Sequence, residues 1–286
     1  MMTLLVTGGT GFVGSNLVRK LSKMSYKLYV PGDNLPRWDI GEDSIVYEAL
    51  MAFRNIHIDA IIHMAAIIPS SIKAEDEELL WNVNYCGTQR IIKIAQGLDV
   101  RNLVYISSIP VIGKPKQLPI TEEHPIVCPT KYHQSKYEAE MPVIEYGGKV
   151  LRIASPVGVG KKQKTFPDIV LEKCMKNQDI VLWGNGERVQ NYIDTEDFAI
   201  AVDKAIKCNT SGCFLIPGFS SISNKEYIEK CITITGSSSK IIFDTNKNGM
   251  DDEHWIISGE KAEEVLGYSP CITIEESIRK MTEEYS

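Results

Sequence analysis

The stretch TGGTGFVG, Thr7 to Gly14, decides the fold. It follows the short apolar run MTLLV and leads into TGFVGSNLVRKLSKM, where Val13, Leu17, Val18 and Leu21 share one helical face. A strand that stops at glycines, followed by a helix that starts on them, opens a βαβ unit. In that setting Gly8 permits a tight turn, Gly11 lets the backbone approach a pyrophosphate, and Gly14 lets helix and strand pack closely. The helix N-terminus then turns free N–H groups and a positive dipole end toward the phosphates. Gly8, Thr10, Gly11, Phe12, Val13 and Gly14 are therefore candidate residues of a dinucleotide cradle. A bare strand–helix turn without a ligand is the alternative.

Outward from this stretch the chain alternates. YKLYVPGDN reads as a second strand and turn, and a helix is expected around EDSIVYEALMAFRNI. IDAIIHMAAI is almost wholly apolar, as in a strand buried on both faces of a parallel sheet. A long helix through LLWNVNYCGTQRIIKIAQGL follows, then a strand, RNLVYISSI. PTKYHQSKYEAEM is a helix ended or kinked by Pro142, and GKVLRIA is a strand. This alternation predicts an α/β fold with a doubly wound parallel sheet. Past Ser155 the rhythm loosens, although Ser223 and Glu226 form a capping-box start in SISNKEYIEKCITITG. Residues 1–154 are thus expected to form the dinucleotide-binding domain, with a return segment near 188–208. Residues 155–286 are expected to be mainly a smaller, substrate-binding portion.

Composition narrows the function. The 286 residues carry a net charge of −6, which argues against a broad electrostatic footprint for nucleic acid. No apolar run approaches the roughly 18 residues of a membrane helix. The seven cysteines are scattered without CxxC, and no histidines cluster, so neither a disulfide frame nor a metal site is expected. Strand-like sequence begins almost at once, with no basic segment and long apolar run of a secretory signal, and a cytoplasmic protein is expected.

The glycine spacing, GxxGxxG preceded by Thr, resembles the short-chain dehydrogenase/reductase superfamily. TGGTGFVGSNLV is similar to its extended branch, the NAD-dependent epimerases and dehydratases of nucleotide sugars. The resemblance runs in order through IIHMAA, NYCGT, VYISSIPVIG, YHQSK, LRIASPVGVG, GNGERVQNYIDTEDFAIA and LGYSP, nearly the whole chain. It implies a Rossmann fold in which Ala65 and Ala66 pass beside the cofactor and Asn84 anchors the strand ends near it. It also implies that Tyr132, Lys136 and Ser108 are catalytic. The i, i+4 spacing puts Tyr132 and Lys136 on one helix face. A free phenol, with a pKa of about 10, is a poor base at neutral pH. A fixed ammonium nearby would lower that value, so Tyr132 could take a proton from a substrate hydroxyl as hydride leaves for nicotinamide. Lys136 would also hydrogen-bond the nicotinamide ribose, and Ser108 would hold the reacting oxygen. Family dehydratases carry Thr-Asp-Glu where this chain has Ser108-Ile109-Pro110, which disfavours elimination of water.

Other departures concern the substrate and the nucleotide. The family's diphosphate-gripping arginine aligns with Gln190, with Arg188 two residues earlier as its substitute or a plain surface arginine. Ser155 stands where the family often has a substrate-binding Asn. Asp33 and Asn34, in VPGDNL, resemble the NAD-type acidic end of the second strand, where a carboxylate pairs with the ribose 2′-OH. Asp39 resembles the acid that meets the adenine amino group, with a loop aspartate as the alternative. Arg37 could instead serve the 2′-phosphate of NADP, so NAD is expected, with NADP the alternative. Three functions stay open: a nucleotide-sugar epimerase, a reductase of a keto-sugar or other small carbonyl, and a nucleotide-sensing or RNA-binding protein on the same fold. Retained nucleotide that bleaches and recovers marks the first, net consumption of reduced nicotinamide the second, and salt-dependent RNA binding the third. The resemblance also implies a homodimer built on the helices that contain NVNYCGTQRIIKIA and YHQSKYEAE.

Overall fold

The computed structural model describes residues 1–68, 75–161 and 163–285. Its centre is an all-parallel six-stranded sheet. The strands are β1 (Met2–Thr7), β2 (Tyr26–Tyr29), β3 (Ala60–His63), β4 (Asn102–Ser108), β5 (Lys149–Ile153) and, later in the chain, β9 (Gly212–Ile216). Their order is β2-β1-β3-β4-β5-β9. Between β5 and β9 lie β6 (Ser155–Val157), β7 (Ile180–Trp183) and β8 (Val189–Asp194), and after them β10 (Ser221–Ser223) and β11 (Ile241–Asp244).

Strand periodicity explains the two layers. Leu4, Val6, Ile62, Val104 and Ile106 turn to one face of the sheet, where they meet α1 (Phe12–Leu21) and α8 (Thr195–Lys207) through Leu17, Phe198 and Val202. Leu5, Ile61, Leu103 and Tyr105 turn to the other face. There they meet α2 (Ser44–Phe53), α4 (Gly87–Gly97) and α6 (Glu140–Glu145) through Ile45, Phe53, Ile91, Ile94 and Val143. A six-residue helix, α3 (Glu75–Leu80), precedes a π-helical turn, Trp81–Cys86, that runs into α4. Helix α5 (Lys131–Glu138) is separated from α6 by Ala139. The break falls just before Pro142, whose missing N–H leaves the Glu138 carbonyl without its helical donor.

The strand order reverses between β1 and β3, and the C-terminal ends of the strands there mark the place where open α/β sheets bind ligands. Among the described residues β2 is the edge strand, and α2 is the one regular element between it and β3. The segment near 188–208 divides: its helix returns to the main sheet and its strand does not. Helix α8 packs back on α1, and β9 supplies the last strand, whereas β8 pairs with β6 and β10 in a separate three-stranded sheet. That sheet, the pair β7–β11, α7 (Phe166–Met175), α9 (Asn224–Thr235) and α10 (Ile274–Tyr285) surround a third core of Leu171, Leu182, Tyr192, Tyr227 and Ile278. The capping box at α9 forms as expected, with Ser223 Oγ accepting from Glu226 N at 3.1 Å.

Candidate active site

The glycines at the sheet's switch point differ in what constrains them. Gly8 has φ +75°, and a Cβ there would come within 2.5 Å of Ala65 N. A Cβ at Gly14 would fall 2.1 Å from the Gly8 carbonyl oxygen. Both are forced by close backbone approach. Gly11 is not: a Cβ there meets nothing nearer than that same oxygen, at 3.4 Å. Thr10 lies against the second loop, where a Cβ at Gly32 would be 3.4 Å from Thr10 Cγ2. Asp33, next in that loop, is exposed beside the cradle. Phe12 and Val13 begin α1 and carry its free N–H groups.

Two expected cofactor residues spend their side chains locally. Asn34 Oδ1 accepts from Val30 N at 2.7 Å, and its Nδ2 donates to Leu28 O at 2.8 Å, so this amide closes the loop after β2. Asp39 Oδ1 accepts from Gly41 N at 2.9 Å and fixes a turn. Asn84 sits in the π-helical turn and is buried. It accepts from Ile67 N at 2.8 Å and donates to Ser135 Oγ at 3.0 Å, tying the Ala65–Ala66 loop to α5.

Helix α5 packs on β4 and on the single turn that follows it. It carries Tyr132, half-buried, and Lys136, 3 % exposed. Ser108 ends β4. Because strand side chains alternate, Ser107 points into the α5–α6 side and Ser108 away from it. Ser107 Oγ donates to Glu140 Oε1 at 2.5 Å, which leaves Ser108 as the hydroxyl open to the crevice end.

The charge states depart from the expectation for this pair. Burial pushes the Tyr132 phenol up to about 12, and burial pulls the Lys136 ammonium down to about 7, with Glu140 opposing. The lowering of Tyr132 by Lys136 is not realised here. Both groups lose hydration, and the Lys136 Nζ lies 4.1 Å from the centre of the Tyr105 ring.

Several residues of this site carry no sequence motif of their own. His63, wholly buried at the end of β3, bridges Thr7 Oγ1 at 2.7 Å and Thr88 Oγ1 at 3.0 Å. The Thr88 hydroxyl donates to the Asn84 carbonyl at 2.7 Å, so His63 Nε2–H is the donor to Thr88, and Nδ1 accepts from Thr7. Burial, and then Lys136, hold His63 neutral with a pKa down to about 3. The unfolded chain therefore binds a proton that the folded one refuses between about pH 6.5 and 3, and stability falls as pH drops through that window. From His63 alone the loss between pH 7 and pH 5 is expected to be about 2 kcal/mol. Urea midpoints at both pH values check this, and His63→Asn should flatten the slope.

On the substrate side, Ser155 in β6 pairs with Tyr192 in β8. Arg188 Nη2 donates to Glu253 Oε2 at 3.0 Å. With its amide oxygen turned toward Arg188, Gln190 accepts from Nε at 2.6 Å and Nη2 at 3.1 Å. Arg188 and Gln190 thus come together, with Arg188 already ion-paired. Among the described residues no group of three or more metal-binding side chains gathers, and no helix is long and apolar enough to cross a membrane.

Known proteins place this geometry. The model of the NAD dependent epimerase/dehydratase family matches residues 4–213. A putative UDP-glucose 4-epimerase of Methanocaldococcus jannaschii is 27% identical over 97% of this chain and 96% of its own length. The UDP-glucose 4-epimerase of Halalkalibacterium halodurans is also 27% identical, over 94% and 91%. Among solved structures, Thermotoga maritima UDP-glucose 4-epimerase with UDP-glucose has a TM-score of 0.86 at 22% identity, covering 99% of this chain and 98% of its own. RMD from Pseudomonas aeruginosa complexed with NADPH has a TM-score of 0.85 at 22% identity, covering 100% and 99%. These structures share the fold. The family match spans the cradle, β3, β4, α5 and the sheet edge as far as β9, and on that ground the chain belongs to the NAD dependent epimerase/dehydratase family.

Proposed function

We propose that the protein is an epimerase of a nucleotide sugar that uses a nicotinamide dinucleotide, NAD in preference to NADP, by transient oxidation and hydride return. The observation that carries this reading is a lysine, Lys136, buried one helical turn from Tyr132 on a helix clamped beside the glycine cradle. Taking an ammonium out of water is costly, and such groups concentrate where proton chemistry is done. The UDP-glucose 4-epimerases among the relatives support the reaction class.

The cradle fits the dinucleotide, since a Cβ at Gly11 would meet only the Gly8 oxygen, at 3.4 Å. Gly11, Phe12 and Val13 would hold its pyrophosphate, Asp33 its adenosine ribose and Lys136 its nicotinamide ribose. Bound there, it supplies the hydride acceptor and donor. Tyr132 takes the proton from the substrate hydroxyl and later returns it. Ser108 donates a hydrogen bond to the same oxygen, and Ser155, Gln190 and Arg188 orient the rest of the substrate. Arg188 must exchange Glu253 for the substrate's phosphates.

A second reading, a reductase of a keto-sugar or other small carbonyl, is favoured by one observation: a phenol at about 12 holds its proton, as a carbonyl reductase needs at the start of its cycle. Mixing the purified protein with NAD and a panel of nucleotide sugars separates the two. Reduced nicotinamide that appears and vanishes within one turnover supports the epimerase. Stoichiometric consumption of added NADH or NADPH supports the reductase and removes the epimerase. We also infer a homodimer through α4 and the α5–α6 pair, whose Trp81, Tyr137 and Met141 neighbourhood is exposed, and a monomer in sedimentation at micromolar concentration would end that inference.

The nucleotide preference turns on Asp33. Asp33→Ala is expected to weaken NAD about tenfold to a hundredfold, the worth of a hydrogen bond to a charged group, and to admit NADP. Dissociation constants for both nucleotides check this, with Arg37→Ala as control. Native preference for NADP, lost in Arg37→Ala and untouched in Asp33→Ala, would reverse the assignment.

A further inference from the structure

One buried and fully bonded carboxylate has no task in the proposed chemistry. Glu140 is 2 % exposed. Its carboxylate accepts from Arg152 Nε at 3.1 Å to each oxygen, from Arg152 Nη2 at 2.7 Å, and from Ser107 Oγ. Arg152 and Ser107 are register neighbours in β5 and β4, so the carboxylate is seated over the sheet at the point where β4 ends in Ser108. Tyr132, Lys136 and Glu140 follow at four-residue steps along α5 and α6. The Ala139 junction keeps right-handed helical angles, φ −75° and ψ −16°, so the three stay on one flank.

Lys136 faces few ionisable groups. Among the described residues they are Tyr105 of β4 under its Nζ, the neutral His63 of β3 and Glu140, with Tyr132 one turn back on its own helix. Tyr105 and Tyr132 hold their protons, so Glu140 is the one of these groups that carries negative charge at neutral pH. Arg152, reaching from β5, holds that carboxylate by two of its nitrogens.

We propose that Glu140 is a positioning residue: fixed by Arg152 and Ser107, its carboxylate keeps the buried Lys136 charged and locks the helix of Tyr132 in register with the strand of Ser108. The proposal rests on the catalytic reading of Tyr132, Lys136 and Ser108 for its consequence, but not for its test. Cluster charge then sums to one net positive among Lys136, Glu140 and Arg152, which is what a transient phenolate at Tyr132 needs nearby.

The test reads Lys136 directly. In protein labelled with ¹³C at lysine Cε, the Lys136 resonance is assigned by its loss in Lys136→Met, and its midpoint is followed with pH. Glu140→Gln is expected to lower that midpoint by about one pH unit, because the burial penalty remains and the Glu140 anion that opposes it is gone. Glu140→Asp, which keeps the charge, should stay close to the native midpoint even where its melting temperature drops. If Glu140→Gln does not fold, Glu140→Gln/Arg152→Gln removes both buried charges together, which folded proteins tolerate better, and the midpoint should still fall. An unchanged Lys136 midpoint in a folded Glu140→Gln or double variant overturns the proposal. A lowered midpoint in Glu140→Gln sustains the proposal even where the native protein turns over no nucleotide sugar, a result that sinks the epimerase reading instead.

Discussion

Tyr132→Phe is expected to lower turnover by two to four orders of magnitude while leaving fold and dinucleotide affinity near native. General acid–base groups supply about 10²- to 10⁴-fold, and the phenol oxygen is the only atom this substitution removes. The ring stays, so its packing against His133, at 5.3 Å between centroids, stays too. The phenol at about 12 adds a directional signature. Oxidation of the substrate hydroxyl needs the deprotonated form, so the oxidising half should speed up as pH rises above neutral. The reducing half needs the protonated form and should be flat across the same range. Pre-steady-state formation of reduced nicotinamide measures the first half, and its decay measures the second. Native-like turnover in Tyr132→Phe would remove the residue from the mechanism. A flat pH profile for the oxidising half in native protein would mean that the bound state lowers the phenol well below its present value.

How far the site was legible in the sequence follows from what fixes each part. The cradle was legible because backbone proximity at Gly8 and Gly14 admits no other residue, and a helix must begin there. The Tyr132–Lys136 spacing was legible because helical period alone sets it. The charge states were not. They depend on how deeply Lys136 is sunk and on Tyr105, thirty-one residues away, lying under its Nζ. Glu140 looked like one of several glutamates on an exposed-looking helix, and only the pairing of β4 with β5 brings Ser107 and Arg152 to it. Its four-residue step from Lys136 was the available signal. The strand β9 is set off by the turn residues Asn209 to Gly212 and by Pro217, but GCFLI is only five residues long, and its place at the sheet edge comes from β5 alongside. Asn34 matched a cofactor motif by position, yet a short loop after β2 needs an internal donor and acceptor, and the nearest amide supplies both.

Gly11→Val is expected to abolish dinucleotide binding in a chain that still folds, and Gly14→Val to fail for the opposite reason. At Gly14 the new Cβ would meet the Gly8 oxygen at 2.1 Å and the Gly9 Cα at 2.8 Å, backbone atoms that cannot yield without parting α1 from β1. That change should unfold the protein or cost several kcal/mol, in the range of severe overpacking. Gly11 has extended backbone angles, φ −76° and ψ 177°, which any residue adopts, and its nearest neighbour is at 3.4 Å. No feature of the protein itself asks for glycine there. The requirement must come from what approaches the N-terminus of α1, where a valine side chain would occupy the pyrophosphate's place and block its path to the helix N–H groups. Melting temperature and circular dichroism should find Gly11→Val near native and Gly14→Val not. Calorimetric titration should find no NAD affinity in Gly11→Val at concentrations that saturate the native protein. If Gly11→Val bound NAD as the native protein does, the cradle would be only a turn, and the site would have to lie elsewhere along the crevice.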